Sequence, residues 1–208
     1  MTIRGVIFDF GGVIMDMRWD VAGQLEEAHG LERNTLVRTL YDSDDWREVQ
    51  VGRGGPEAWR HAAHRRLEEA AGRALPPLHQ QWRDSWRLIP ENLDLVRALR
   101  PSYRTAILSN ADITLEDRLR DGLGIHSLFD DVISSAAVRL AKPDHRIYRL
   151  AAERLDLPLE ECVFIDDAER NVTAAREVGM SAVHYRVDLA HDLAAQLAEL
   201  GVKPSREA

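Results

Sequence analysis

The sequence has one cysteine, two lysines, few aromatics and no long apolar run, and each scarcity removes a class of protein. With Cys162 alone, no intrachain disulfide can form. Its place inside Cys162-Val163-Phe164-Ile165 reads as core packing, and a reducing, cytoplasmic setting is expected. No apolar stretch approaches the ~20 residues needed to cross a bilayer. Met1-Thr2-Ile3-Arg4 leads straight into a strand-like segment with no leader pattern, so a soluble, intracellular chain with no membrane partner is expected. Positive charge is also short. Against 35 acidic residues stand 27 basic ones, and the net charge of −8 disfavours contacts along a nucleic-acid backbone. His29, His126, His145, His184 and His191 are scattered without ligand spacing, so no zinc site is expected.

What remains is an ordinary globular composition. The chain has 208 residues, 45% hydrophobic and 30% charged, enough for one domain carrying a modest insertion and too apolar for global disorder. Short apolar runs bounded by turn residues predict strands over Ile3 to Phe8, Thr105 to Leu108, Val132-Ile133, Cys162 to Ile165 and Ala182-Val183. Amphipathic stretches predict helices at Leu93 to Arg100, Thr114 to Asp121, Asp144 to Leu155, Asn171 to Val178 and Leu189 to Leu200. Such alternation predicts a doubly wound α/β fold, with a mostly parallel sheet covered by helices on both faces.

Residues 16–90 break the alternation. Helical spacing recurs over Val21 to Ala28, Thr35 to Leu40, Glu57 to Ala71 and Leu78 to Trp86, and all five tryptophans fall inside the interval. A helical module is expected there, with turns at Gly52 to Pro56 and at Leu75-Pro76-Pro77. The α/β core is then assigned to 1–15 and 91–200, and 201–208 to a fraying tail. There is no internal repeat. The tryptophans are read as core filling, with Trp19 and Trp46 the expected exceptions, and an aromatic cap face, if exposed, would permit a homodimer.

In an open α/β sheet, ligands bind beyond the carboxyl ends of the strands. Asp9 follows the first strand, Ser109 and Asn110 the second, and Asp166-Asp167 the fourth, while Lys142-Pro143 stands in the turn after the third. Singly, each has a structural reading as turn, loop or helix cap. Together they offer carboxylates, a hydroxyl with amide donors and an ammonium at four strand ends, a set suited to a hard cation and a phosphoryl group.

In order and spacing, Asp9, Ser109-Asn110, Lys142-Pro143 and Asp166-Asp167 resemble motifs one to four of the haloacid dehalogenase (HAD) superfamily. The likeness runs from Ile3 to about Tyr185. Phe8 to Ile14 and Lys142 to Tyr148 look most like its small phosphatases, which include sugar-phosphate phosphatases and epoxide-hydrolase N-terminal domains. The resemblance implies a HAD-like Rossmannoid core with a helical cap at 16–90. It implies a phosphoric monoester hydrolase in which Asp9 attacks phosphorus and the resulting aspartyl-phosphate is hydrolysed. Mg²⁺ would be held by Asp9, the carbonyl of Gly11 and Asp167, with Asp166 close behind, orienting the lysine or holding waters. Ser109, the amide of Asn110 and Lys142 would bind the phosphoryl oxygens of a small phosphorylated substrate.

One position departs from that pattern. Most phosphatases of the superfamily carry a second Asp two residues after the nucleophile, as general acid and base, and here Gly11 stands there. Losing such a group typically costs ~10²–10⁴-fold. Three accounts stay open: a leaving group that departs easily, a substitute carboxylate in Asp16 or Asp112, or a weak phosphate-binding or regulatory module. The metal-independent 2-haloacid dehalogenases also lack the second Asp, but they generally lack the acidic pair as well. In the cap, Arg60 to Arg66 could meet a phosphate, yet Arg65 and Glu69 read as an i,i+4 pair on a solvated face.

Of the 27 basic residues 25 are arginine, and one of the two lysines is Lys142. A compact ammonium differs from a planar guanidinium in size and direction. Replacing Lys142 by Arg is expected to lower turnover heavily although charge is kept; near-normal activity in steady-state assays would refute that role.

Overall fold

Gly5-Val6-Ile7-Phe8 contains no polar side chain, and the computed structural model, which describes residues 2–204, buries all four in the middle of a parallel sheet. The described strands are β1 (Gly5–Phe8), β2 (Met15–Asp16), β3 (Arg87–Leu88), β4 (Arg104–Ser109), β5 (Asp131–Ser134), β6 (Cys162–Asp166) and β7 (Ser181–His184). Five form one sheet in the order β5-β4-β1-β6-β7, every neighbour parallel. The order reverses at β1, which makes its carboxyl end the place where loops diverge and a crevice opens.

Period-two alternation separates the two faces. Val6 and Phe8 join one apolar layer with Ile107, Val163 and Ile165, covered by helices Pro90–Leu99 and Leu193–Glu199 through Leu93, Val96, Leu99, Leu193 and Leu197. Ile7 joins the other with Ala106, Leu108 and Phe164, covered by His145–Arg154 and Glu169–Glu177. Cys162 is a buried free thiol in that second layer. Register sets Phe8 beside both Ile107 and Ile165, so Asp9, Ser109 and Asp166 emerge at one sheet edge.

Between β2 and β3, which pair antiparallel, run five helices: Trp19–Ala28, Thr35–Tyr41, Asp44–Val49, Pro56–Ala71 and Leu78–Asp84. They share an apolar cluster of their own around Leu36, Leu40, Leu67, Leu78 and Trp82. Asp44–Val49 is too short and polar to show helical periodicity, but Ser43 caps it by accepting from the Trp46 amide at 3.1 Å. Trp82 is fully buried, its ring centroid 5.3 Å from Trp19 and 5.5 Å from Trp86. Trp46 stacks 4.6 Å from Trp59, so both expected exceptions pack inward as well. No aromatic side chain is exposed among the described residues; the exposed large hydrophobics are Ile113, Leu189 and Leu200.

Two expectations change. The stretch Thr114 to Asp121 forms one α-helical turn, Leu115–Asp117, followed by a wider π-helical turn at Arg118–Gly122. The expected tail is anchored where it is described: Val202 is buried in the main core and the Lys203 amide donates to the Tyr103 hydroxyl at 3.1 Å. A lone apolar residue carries no periodicity, yet it fills the end of the layer against the last helix. Residues 205–208 of that tail lie outside the described residues. No described helix is long and apolar enough to cross a membrane.

Trp82 also donates its indole N–H to the Met17 carbonyl at 2.6 Å, tying the helical insertion to the chain entering it. Trp82→Ala is expected to cost ~3–5 kcal/mol in urea unfolding; a loss below ~1 kcal/mol would show that the cluster does not hold the insertion together.

Candidate active site

Asp9 leaves β1 still bonded to the sheet, its amide donating to the Ile165 carbonyl at 2.8 Å. Its Oδ1 accepts from the Phe10 amide at 2.7 Å and lies 2.9 Å from Lys142 Nζ. Lys142 comes from the loop beyond β5, and Asn110 fixes that loop. Asn110 Nδ2 donates to the Lys142 carbonyl at 2.9 Å, while the Lys142 amide donates to Asn110 Oδ1 at 2.8 Å. The Asn110 side chain is thereby occupied, and its main-chain amide is what it can offer a ligand. The Lys142–Pro143 bond is cis.

Lys142 Nζ also donates to Asp166 Oδ2 at 2.6 Å. Asp166 is wholly buried, and each of its oxygens receives two donors: Oδ1 from the Ala168 amide and Asn171 Nδ2, Oδ2 from Lys142 and Asn171 Nδ2. Asp167 receives no hydrogen bond on its side chain from another described residue. The two members of the acidic pair therefore differ: Asp166 positions the lysine, and Asp167 is uncommitted. Gly12 makes room for it. At φ +79°, a Cβ there would sit 2.3 Å from Asp167 Oδ2, which excludes any side chain.

Carboxylate oxygens of Asp9, Asp166 and Asp167 lie within 4.8 Å of one another. Burial, reinforced by Asp166 and Asp167 and opposed by Lys142, pushes Asp9 up to about 7. Burial and Asp166 push Asp167 up to about 6. Burial alone would lower the Lys142 ammonium, but Asp166 and Asp9 outweigh it and raise it. Three carboxylates around one ammonium leave a surplus of negative charge on hard oxygen donors, and a divalent cation such as Mg²⁺ fits that surplus.

Beside these groups, at the seam between insertion and sheet, a cavity is lined by Gly11, Ser109 and Asn110 from the sheet side and by Tyr41, Trp46, Trp59, Arg83 and Trp86 from the insertion, with Asp112 and Arg118 completing it. A Cβ on Gly11 would meet Met17 Sδ at 3.3 Å, so a thioether sits where a side chain at position 11 would point. Of the two substitute carboxylates, Asp16 is held by the Arg18 amide at 2.9 Å and Arg87 Nε at 3.1 Å and does not line the cavity. Asp112 does, its Oδ1 accepting from Thr114.

The structure thus brings Asp9, Lys142, Asp166 and Asp167 into contact, and places Gly11, Ser109 and Asn110 on the adjoining cavity wall. Sequence reading missed Asn171, Met17, Gly12 and Arg118. Asn171 had a signal: five residues past Asp166, its amide faces back onto the strand end it follows. Met17 and Arg118 reach the site only through tertiary packing.

The model of the haloacid dehalogenase-like hydrolase family matches residues 3–179. The chain is a haloacid dehalogenase-like hydrolase. It is 28% identical over 193 residues to a fructose-1-phosphate phosphatase of Escherichia coli, covering 88% of this chain and 96% of that one. It is 26% identical over 191 residues to a sesquiterpene phosphatase of Aspergillus oryzae, covering 91% and 93%. Of two other curated relatives the chain spans only 18% and 34% of the length. A HAD family enzyme of Bacteroides thetaiotaomicron, crystallised as a magnesium complex, superposes with a TM-score of 0.71 at 20% identity over 95% of this chain and 99% of that one. That likeness shows the shared fold.

Because Asp9 and Asp167 ionise at higher pH folded than unfolded, the unfolded chain binds fewer protons between the ordinary value of 3.8 and about 7, and their contribution to stability is lost as pH rises through that window. A cation bound to the ionised pair restores it. If these carboxylates take a divalent cation, the gain in Tm on adding Mg²⁺ is larger at pH 7.5 than at pH 5; equal gains in thermal melts would contradict a cation site there.

Proposed function

We propose that this HAD-like hydrolase is a Mg²⁺-dependent phosphatase of small phosphomonoesters, sugar phosphates among them. The observation that carries the reading is the division of labour among the carboxylates: Asp166 is saturated with donors, while Asp167 and one oxygen of Asp9 are not. The fructose-1-phosphate phosphatase and a D-ribitol-5-phosphate phosphatase among the relatives support the substrate class.

Asp9, the Gly11 carbonyl and Asp167 would hold the Mg²⁺, with Asp166 behind them, and the ion would supply the positive charge that lets a carboxylate approach a dianionic phosphoryl group. Asp9 Oδ1 is tied to Phe10 and Lys142, so Oδ2 is the attacking atom. It forms the new bond to phosphorus as the ester oxygen departs with its electron pair, leaving an aspartyl-phosphate that water then cleaves. Ser109 and the Asn110 amide donate to the equatorial oxygens, and Lys142 offsets their charge. Asp112, the carboxylate lining the cavity, gives the leaving oxygen its proton and takes one from the attacking water.

A dehalogenase reading also has similar proteins behind it, among them an (S)-2-haloacid dehalogenase 29% identical over 189 residues. The acidic pair, Asp166 buried and Asp167 half-buried and unsatisfied, weighs against it, because attack on carbon needs no such charge. Phosphate release from sugar phosphates is expected with Mg²⁺ and at background level with chelator or in Asp9→Asn. Asp112→Asn should lower kcat for sugar phosphates by ~10²-fold or more, and far less for p-nitrophenyl phosphate, whose leaving group needs no proton. No Asp9-dependent turnover on a broad panel would indicate a phosphate-binding module, and chloride release from a 2-haloacid without metal would establish the dehalogenase.

A further inference from the structure

Many guanidiniums in this acidic chain have carboxylates beside them, among them Arg47 with Asp44, Arg53 with Glu48 and Arg146 with Asp144. Three at the seam between insertion and sheet do not, and one of these has a buried nitrogen. Among the described residues Arg118, Arg83 and Arg60 make no ion pair and no side-chain hydrogen bond; Arg83 and Arg60 merely approach the rings of Trp86 and Trp59, at 5.7 and 6.0 Å. Arg118 opens the π-helical turn, a widened turn that sets its side chain into the cavity, and its Nε is fully buried with no partner. The Trp86 indole N–H, on the same cavity wall, is likewise buried without an acceptor.

The wall facing Ser109 is therefore rich in donors and poor in acceptors. Its one carboxylate, Asp112, already accepts from Thr114. Burial, with Arg83 and Arg60 nearby, holds the Arg118 guanidinium below its ordinary value against the pull of Asp112. A half-buried cation that makes no direct ion pair and leaves a buried N–H unpaired is unfavourable, and a guanidinium fork matches a carboxylate or phosphate in particular.

We propose that the leaving-group half of the substrate carries a second anionic group, a carboxylate or a phosphate, received by Arg118 and Arg83 with the Trp86 N–H as a further donor. The inference rests on the phosphatase reading and narrows its substrates to doubly anionic phosphomonoesters. Arg83 lines both this cavity and a neighbouring groove that also holds Arg60 and Glu57, so two guanidiniums stand close to the cavity on a chain whose net charge would otherwise repel such a ligand.

Binding measured without turnover tests this. Asp9→Asn protein with Mg²⁺ is titrated calorimetrically with 3-phosphoglycerate against glycerol 3-phosphate, and with fructose 1,6-bisphosphate against fructose 1-phosphate. The second anion is expected to tighten binding by about tenfold or more in at least one pair, and the pair that responds distinguishes carboxylate from phosphate. Arg118→Met should bring that ratio close to one, and Arg83→Met, at a side chain with no buried unpartnered atom, gives the same readout should the first variant fail to fold. Ratios near one in both pairs overturn the proposal, and so does a preference that survives both substitutions. Phosphate release by the wild-type protein reports separately on the phosphatase reading: an Arg118-dependent preference without any turnover would sink that reading and leave the anion subsite standing.

Discussion

A single buried ammonium, that of Lys142, lies between the carboxylates of Asp9 and Asp166, and the site depends on that sharing. Three carboxylates at one sheet edge repel one another, and taking them out of water adds to the cost. Lys142 offsets part of this and no more, which leaves Asp9 and Asp167 held up at about 7 and 6. The incompleteness is what the proposed cation would make up: a site neutralised by protein charges alone would have nothing left to attract one. The protein secures the lysine at both ends, its backbone by the Asn110 amide and its ammonium by Asp166, which Asn171 holds in turn. Asn110 and Asn171 thus position the candidate site although neither side chain needs to touch a ligand.

The helical insertion completes this edge from above. Its aromatic cluster is closed at the base by the two-residue pairing of β2 with β3 and by the Trp82 bond to Met17, and Trp19, Tyr41 and Trp86 pack against both that cluster and the core of the sheet. Met17 is also the residue that fills the space beside Gly11. The absence of a side chain at position 11 and the presence of the thioether are one packing arrangement, so an acid there would need the Met17 side chain to give way. The cavity wall that offers Asp112 also carries Arg118 and Arg83, which make no ion pair among the described residues.

Much of this was legible in the sequence, for identifiable reasons. The parallel sheet followed from apolar runs separated by amphipathic stretches, and the site from the rule that ligands collect at strand carboxyl ends: Asp9, Ser109, Asp166 and Asp167 each stand at or just beyond one, while Lys142 comes eight residues past β5, after a short helix at Ser135–Val138. Short elements escaped. Asp44–Val49 spans too few residues to show a period, and the π-helical turn at Arg118 has the same local sequence character as the α-helix expected there. Val202 carried no pattern because it is a single residue closing the core. Arg118, Arg83 and Met17 were illegible for a different reason: their importance lies in which surface they face across the seam, a property of tertiary packing that neither composition nor spacing encodes.

If these carboxylates form a divalent-cation site whose charge the protein has left unbalanced, loading the site must displace protons. Calorimetric titration with Mg²⁺ at pH 6.5, in buffers of different ionisation enthalpy, reads this out. One site per chain is expected, with net proton release as Asp9 and Asp167 ionise, lost in Asp167→Asn. Binding without proton release, or binding unaffected by that substitution, would contradict it.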